Sequence, residues 1–174
     1  LAALLALPSY SSLALESHLV YSPEGLAVFQ VRFFDQGDGP FMPGQYQPEQ
    51  STWNLSTQQK NKILTAMSYW AEIIKPTPGH PPAIVNVGTN DEPGNAGGLS
   101  LEISDGNIAL TQLQAALLGI EFNEQTFGSH AQFIMGIMNF DDLDYVPSQQ
   151  PRPVNQTDLV GVAIHELAHG LGVS

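Results

Sequence analysis

Residues 157–174, TDLVGVAIHELAHGLGVS, carry the most regular pattern in the chain. Thr157 or Asp158 can cap the start of a helix, and the acid also suits the positive end of the helix dipole. At 100° per residue, five apolar side chains share a stripe that we expect to face the core: Val160, Ile164, Leu167, Ala168 and Leu171. The segment therefore predicts an amphipathic helix packed on the rest of the domain.

The polar side chains of this helix have the spacing H-E-x-x-H. His165 and His169 lie one turn apart, away from the predicted core stripe, so both imidazoles can reach one metal ion. Glu166 is placed to take a proton from water bound to that ion without being a ligand itself. The pattern is typical of zinc hydrolases and predicts peptide-bond hydrolysis with Glu166 as the general base and acid.

Upstream segments predict strands and a long helix. Residues 27–34 alternate between apolar and polar side chains, as in a strand with one buried face. Ser56, with Gln59 three residues later, forms a capping box that opens a helix ending at Pro76. The apolar side chains spaced for burial along that helix are Ile63, Met67, Trp70 and Ile74.

Shorter elements complete the prediction. Further strands are expected at residues 83–87, 99–104 and 131–140, and a short helix at 111–118 that Gly119 closes. Loops are expected where glycine, proline, asparagine and aspartate cluster, at residues 35–51, 88–98 and 141–153. The order of elements predicts one α+β domain (α/β-like in its alternation), with a sheet packed on two main helices.

Composition excludes several classes of partner. The formal net charge is −12 with only five Lys and Arg residues, which argues against nucleic acid and against anionic lipid. There is no cysteine, so stability comes from packing or metal binding and not from disulfides. The first apolar run, residues 1–7, is too short to span a bilayer, so no membrane insertion is expected within this chain.

The first residues have the pattern of a leader peptide. An apolar run is followed by Pro8, small polar residues and Ser12-Leu13-Ala14. This predicts residues 1–14 to be a truncated signal peptide cleaved after Ala14, and hence a secreted or cell-surface protein. The alternative is a buried N-terminal strand or helix. The folded domain is expected to span residues 15–174.

Residues 159–172 resemble the active-site helix of zincin metallopeptidases. Gly172 stands where the metzincin pattern H-E-x-x-H-x-x-G-x-x-H/D has its glycine. The stretch from Leu117-Leu118-Gly119 through the motif is also similar to secreted bacterial metallopeptidases. The metzincin resemblance implies His or Asp as a third ligand at position 175, and the alternative is a zincin with a distant Glu ligand. It also implies a zincin-type N-terminal subdomain: a twisted mixed sheet, a long helix and the active-site helix. It further implies that residues 131–140 form an edge strand that binds extended peptide, and that a C-terminal subdomain is missing.

The sequence leaves alternatives for the third zinc ligand and for the function. His18, His80 and His130 could each supply a third ligand, although none has a recognisable ligand spacing. One alternative function is a non-catalytic zinc-binding surface or adhesion domain with a remnant motif. Another is a metal-dependent hydrolase of a non-peptide bond. Because two histidines hold zinc less tightly than three ligands, residues 15–174 alone are expected to be weakly active or inactive.

Two acidic segments resemble calcium-binding loops in composition, at residues 35–39 and 141–144. Neither has the twelve-residue EF-hand pattern. The metzincin resemblance implies structural calcium, and the alternative is ordinary solvated acids in turns. The cofactor expected from the sequence is therefore zinc, with calcium as a second ion, and the expected partner is a peptide or protein substrate.

Overall fold

A computed structural model describes residues 15–39, 41, 50–94, 96–104, 109–120, 128–138 and 156–173. Within these residues the chain forms two sheets, one of five strands and one of two, together with three helices. The α+β class predicted from the sequence is confirmed. The proposed signal peptide (residues 1–14) and the loop predicted at 141–153 lie outside the described residues.

The elements follow one another as strands and helices in a mixed order. In chain order they are β1 (Glu16–Tyr21), β2 (Ala27–Phe33), α1 (Thr57–Ile73), β3 (Ala83–Pro93), β4 (Ala96–Leu99), β5 (Glu102–Ser104), β6 (Ala109–Thr111), α2 (Gln112–Leu118), β7 (Ala131–Ile137) and α3 (Leu159–Gly170).

The larger sheet has the strand order β1-β2-β3-β7-β4. Strands β2, β3 and β7 are parallel, whereas β1 and β4 run antiparallel to their neighbours at the two edges. Strands β5 and β6 form a separate antiparallel pair. The edge strand β4 lies beside α3, so this edge of the sheet borders the helix that carries the H-E-x-x-H segment.

Helix α1 begins as predicted. The Ser56 hydroxyl accepts from the Gln59 N–H at 3.2 Å, and the Gln59 side chain accepts from the Ser56 N–H at 2.8 Å, which completes the capping box. Ile63 and Met67 are fully buried, and Trp70 and Ile74 pack partly buried against the same core. The long amphipathic helix expected from the sequence is confirmed.

Helix α2 begins one residue later than predicted and ends where predicted. Thr111 caps its first turn, and Gly119 follows its last turn with a left-handed φ of 71°. A glycine adopts this conformation without the strain that a Cβ would introduce. The short helix closed by Gly119 is therefore confirmed, with Thr111 as the cap and not as a helical residue.

The loop predicted at residues 88–98 is wrong. Strand β3 continues to Pro93, and β4 begins at Ala96 after Gly94, which has a φ of 68°. The hydroxyl of Thr89 holds this extension by accepting from the Trp53 N–H at 2.9 Å and donating to the Trp53 carbonyl at 2.7 Å. Backbone pairing with β7 overrides the weak strand propensity of the local sequence.

The single strand predicted at residues 99–104 is divided between the two sheets. The break is at Ser100, whose hydroxyl donates to the His130 carbonyl at 2.7 Å and accepts from the Leu113 N–H at 3.1 Å. Strand β4 ends at Leu99 before it, and β5 begins at Glu102 after it. Apolar and polar residues do alternate here, but the two hydrogen bonds of the Ser100 hydroxyl interrupt the strand.

The edge position predicted for residues 131–140 is also wrong. Strand β7 pairs with β3 on one side and with β4 on the other, so it lies inside the sheet. Its first six residues are buried, as is typical of a strand that is covered on both faces. The edge beside α3 is β4 instead.

Among the described residues, no helix is both long enough and apolar enough to cross a membrane.

A buried histidine couples this fold to pH. His130 is 8% exposed, and its Nδ1 accepts from the Ile84 N–H at 2.8 Å. Burial lowers the pKa of His130, and the positive charge of Arg32 lowers it further. Below pH 6.5, the ordinary pKa of histidine, the unfolded chain takes up the proton first. Stability is therefore lost as the pH falls from there through the lowered folded-state pKa.

We expect His130→Asn to remove this component of the pH dependence. The asparagine oxygen can accept from the Ile84 N–H but does not titrate. Urea unfolding at several pH values between 7.5 and 5 should show a shallower fall for the variant than for the wild type. The difference is at most about 1.4 kcal/mol per pH unit, the limit for one proton. Equal slopes for the two proteins would contradict the assignment.

Candidate active site

Helix α3 begins at the predicted position. Asp158 is the cap, and its Oδ1 accepts from the Val160 N–H at 3.1 Å. Of the two caps proposed from the sequence, Thr157 and Asp158, the structure uses the second. The negative charge of this carboxylate also lies at the positive end of the helix dipole.

The face that α3 buries is rotated from the predicted stripe. The buried residues are Leu159, Ala163, Leu167 and Gly170, whereas Val160, Ile164 and Leu171 are only partly buried. Apolar residues cover most of the surface of α3, so their helical spacing alone did not indicate which side faces the core. Small residues on the buried side allow close approach, and Gly170 lies against Leu113 and Ala131.

The turn that follows α3 contains the glycine that the sequence singled out. Gly172 has a left-handed φ of 75° and donates its N–H to the His169 carbonyl at 2.9 Å. The next N–H, that of Val173, donates to the Ala168 carbonyl, also at 2.9 Å. These two bonds form a Schellman motif, which reverses the chain directly after the helix.

Helix α2 secures the same end of α3. The Thr111 hydroxyl donates to the Gly170 carbonyl at 2.7 Å, and the Gln114 side-chain amide donates to the Leu171 carbonyl at 2.8 Å. Two carbonyls that a helix end leaves without intrahelical partners are thereby satisfied. The residues that cap the start of α2 thus fix the turn of α3 that carries His169.

The two histidines of the motif converge on the exposed side of α3. The Nε2 atoms of His165 and His169 are 3.3 Å apart, and the ring planes are at 84° to each other. Two nitrogens bound at about 2.0–2.1 Å to a tetrahedral zinc are separated by about 3.3–3.4 Å. The pair therefore fits two adjacent ligand positions of one zinc ion.

Glu166 lies between this pair and the edge strand. Its side chain is partly buried, and Oε2 accepts from the Gly98 N–H at 3.1 Å. The second carboxylate oxygen, Oε1, has no hydrogen bond within the described part of the chain. The arrangement places a carboxylate beside the convergent histidines, with one oxygen held and the other available.

A cavity of about 290 Å³ opens beside the motif. Its lining residues are Asp158, Gly161, Val162, His165 and Glu166. Gly161 is exposed, and a Cβ at this position would lie 2.8 Å from Oδ2 of Asp158, so the glycine leaves room for that carboxylate at the cavity. A substrate group can therefore reach both His165 and Glu166.

Helix α1 supports α3 directly before the first histidine. The Trp70 indole N–H donates to the Ile164 carbonyl at 3.1 Å. The helices also pack along their lengths. The sequence identified Trp70 only as a core residue, so this polar contact was not predicted.

We expect Trp70→Phe to destabilise the domain. The change removes the hydrogen bond to Ile164 and part of a large packed side chain, for a loss of about 1–3 kcal/mol in the free energy of unfolding. Tyr69→Phe is the matched control, because Tyr69 is exposed and adjacent. Urea unfolding measures both variants, and equal midpoints for the two would contradict a supporting role of Trp70.

The other histidines have separate environments. His18 bonds to Glu16 at 2.8 Å on the far edge strand β1, and His80 lies against Gly119. His130 is buried with its Nδ1 committed to Ile84. Across the described ranges, no third His, Cys, Asp or Glu joins the motif histidines to form a group that could hold a metal ion. Position 175, implied by the metzincin resemblance, lies outside these ranges.

The acidic segment at residues 35–39 forms internal contacts. Asp35 accepts from the Lys60 ammonium group at 3.2 Å, and Asp38 accepts from the Asp35 N–H at 3.1 Å. Both carboxylates therefore have protein partners, and calcium at this segment stays a prediction. The second acidic segment, residues 141–144, lies outside the described residues.

No protein-family model, curated protein or solved structure matches the chain.

Proposed function

We propose that the protein is a secreted, zinc-dependent metalloendopeptidase of zincin type, with a metzincin-like arrangement. The observation that carries the proposal is the 3.3 Å separation of the His165 and His169 Nε2 atoms, with the Glu166 carboxylate next to them. Two nitrogen ligands and one adjacent carboxylate are the groups that zinc-dependent hydrolysis of a peptide requires.

Each side chain has a distinct role in this proposal. His165 and His169 would hold the metal, which when bound would lower the pKa of water and polarise the substrate carbonyl. Glu166 accepts the proton of the attacking water on Oε1 and later delivers it to the leaving amine. The cavity beside His165 receives a side chain of the substrate.

The sheet edge supports a peptide as substrate. Strand β4 is an antiparallel edge strand that contacts α3, so an extended chain can pair with the part of this edge that lies next to the Gly98 N–H, the donor that Glu166 occupies. The metzincin resemblance gave this role to residues 131–140, whose strand β7 lies inside the sheet, and we propose it for β4 instead. An edge strand beside the motif helix also favours the zincin type over other α+β arrangements.

The rival is a zinc-binding surface or adhesion domain without catalytic activity. In its favour, no third ligand accompanies the two histidines within the described ranges. The experiment uses the protein as its gene encodes it, with casein and a mixed peptide library as substrates. We expect cleavage that 1,10-phenanthroline abolishes and added zinc restores. Stoichiometric zinc without cleavage of any peptide would support the rival, and cleavage of esters alone would indicate a non-peptide hydrolase.

A further inference from the structure

Two independent contacts tie Glu166 to a single residue of the edge strand. The Gly98 N–H donates to Oε2 of Glu166 at 3.1 Å. In addition, a Cβ placed on Gly98 would overlap with the backbone carbonyl oxygen of Glu166. The backbone of β4 therefore lies directly against α3 at this position, and only glycine permits that approach.

The sheet register makes this N–H available. Gly98 is opposite Phe133 in the antiparallel pair of β4 and β7, and Gly97 is opposite Ile134. Successive N–H groups of such a strand alternate between the partner strand and the opposite side. Because the Gly98 N–H donates to α3, it belongs to the set that points away from β7. Without the bond to Glu166, the Gly98 N–H would be an unpaired donor on the open edge of the sheet.

We propose that Gly98 is a positioning residue for Glu166. Its N–H fixes the carboxylate through Oε2 and leaves Oε1 as the oxygen that accepts the proton from water. A glutamate side chain has three rotatable bonds, and a proton acceptor that is displaced by about 1 Å can lose about a hundredfold in rate. This inference rests on the proposed function, since it concerns the base of that reaction.

The neighbouring glycine provides a matched control. A Cβ on Gly97 would meet only the Ile134 side chain, at an ordinary contact distance of 3.5 Å. Gly97→Ala should therefore be tolerated, whereas Gly98→Ala should force β4 away from α3. If Gly98→Ala fails to fold, a subtler change is needed that removes the N–H and adds no atom on the Cα.

An ester in place of the amide meets that need. Glycolic acid at position 98, introduced by semisynthesis of the complete protein, replaces the N–H with oxygen and keeps the shape of the backbone. The control is the complete protein assembled by the same semisynthesis with the natural amide at position 98. The measurements are kcat and KM for a peptide substrate, zinc content and the urea unfolding midpoint.

We expect the ester at 98 to lower kcat by about tenfold to a hundredfold, with KM, zinc content and the unfolding midpoint close to those of the control. A merely structural role of Gly98 would move the midpoint and not kcat alone. If the wild type cleaves peptide and the ester at 98 has the same kcat as the control, the inference is overturned and the proposed function stands. A wild type that cleaves no peptide overturns both.

Discussion

Replacing Glu166 with glutamine is expected to lower kcat for peptide hydrolysis by about 10²- to 10⁴-fold or more while bound zinc is retained. Glutamine cannot accept the proton of the attacking water. Its side-chain oxygen can still accept from the Gly98 N–H, so the contact between β4 and α3 is preserved. The measurements are kcat on a defined peptide and the zinc content of the purified variant.

The matched control is Glu102→Gln. Glu102 is an exposed carboxylate on β5, outside the cavity beside the motif. The control removes the same charge, and its kcat should equal that of the wild type. A Glu166→Gln variant that cleaves peptide at the wild-type rate with zinc bound would show that another group acts as the base.

The second large effect concerns the histidines. We expect His165→Gln or His169→Gln to weaken zinc binding by more than about a hundredfold, because loss of an outer-shell partner alone costs about 10- to 100-fold. Both side chains are exposed, so the metal-free fold should have an unchanged urea midpoint. Competition with a chromophoric zinc chelator measures the affinity of each variant.

His80→Gln is the control for these variants. His80 is also exposed, and it lies against Gly119, away from the motif pair. Its removal should leave zinc affinity unchanged. If a variant of either motif histidine binds zinc as tightly as the wild type, that histidine is not a ligand.

The convergence of His165 and His169 was predictable because it depends on one helix alone. A spacing of four residues places two side chains on the same face one turn apart, whatever the rest of the fold does. The helix start at Asp158 and the reversal at Gly172 were predictable for the same reason, since caps and left-handed glycines act within a few residues. The capping box of α1 is a third example.

The position of β4 was not predictable because it depends on distant residues. Residues 96–99 include two glycines, which locally favour a loop, and they become a strand only through pairing with β7. The Gly97-Gly98 pair did carry a signal, because glycine in a strand often marks a close approach of another backbone. The sequence does not indicate that the approaching element is Glu166 on α3.

The buried face of α3 illustrates a further limit. Both Leu159 with Ala163 and Val160 with Ile164 form apolar pairs at helical spacing. The choice between them follows from close packing against neighbouring elements, where Gly170 fits against Leu113 and Ala131. The spacing of apolar residues identifies an amphipathic helix. It does not show which side is buried when two sides of the helix are apolar.

The most direct test of the central claim is diffraction from crystals of the zinc-loaded protein, measured on both sides of the zinc absorption edge. The claim predicts one anomalous peak within about 2.0–2.1 Å of the Nε2 atoms of both His165 and His169, with the Glu166 carboxylate outside that first shell. Zinc bound elsewhere, or bound to only one of these two histidines, would contradict it.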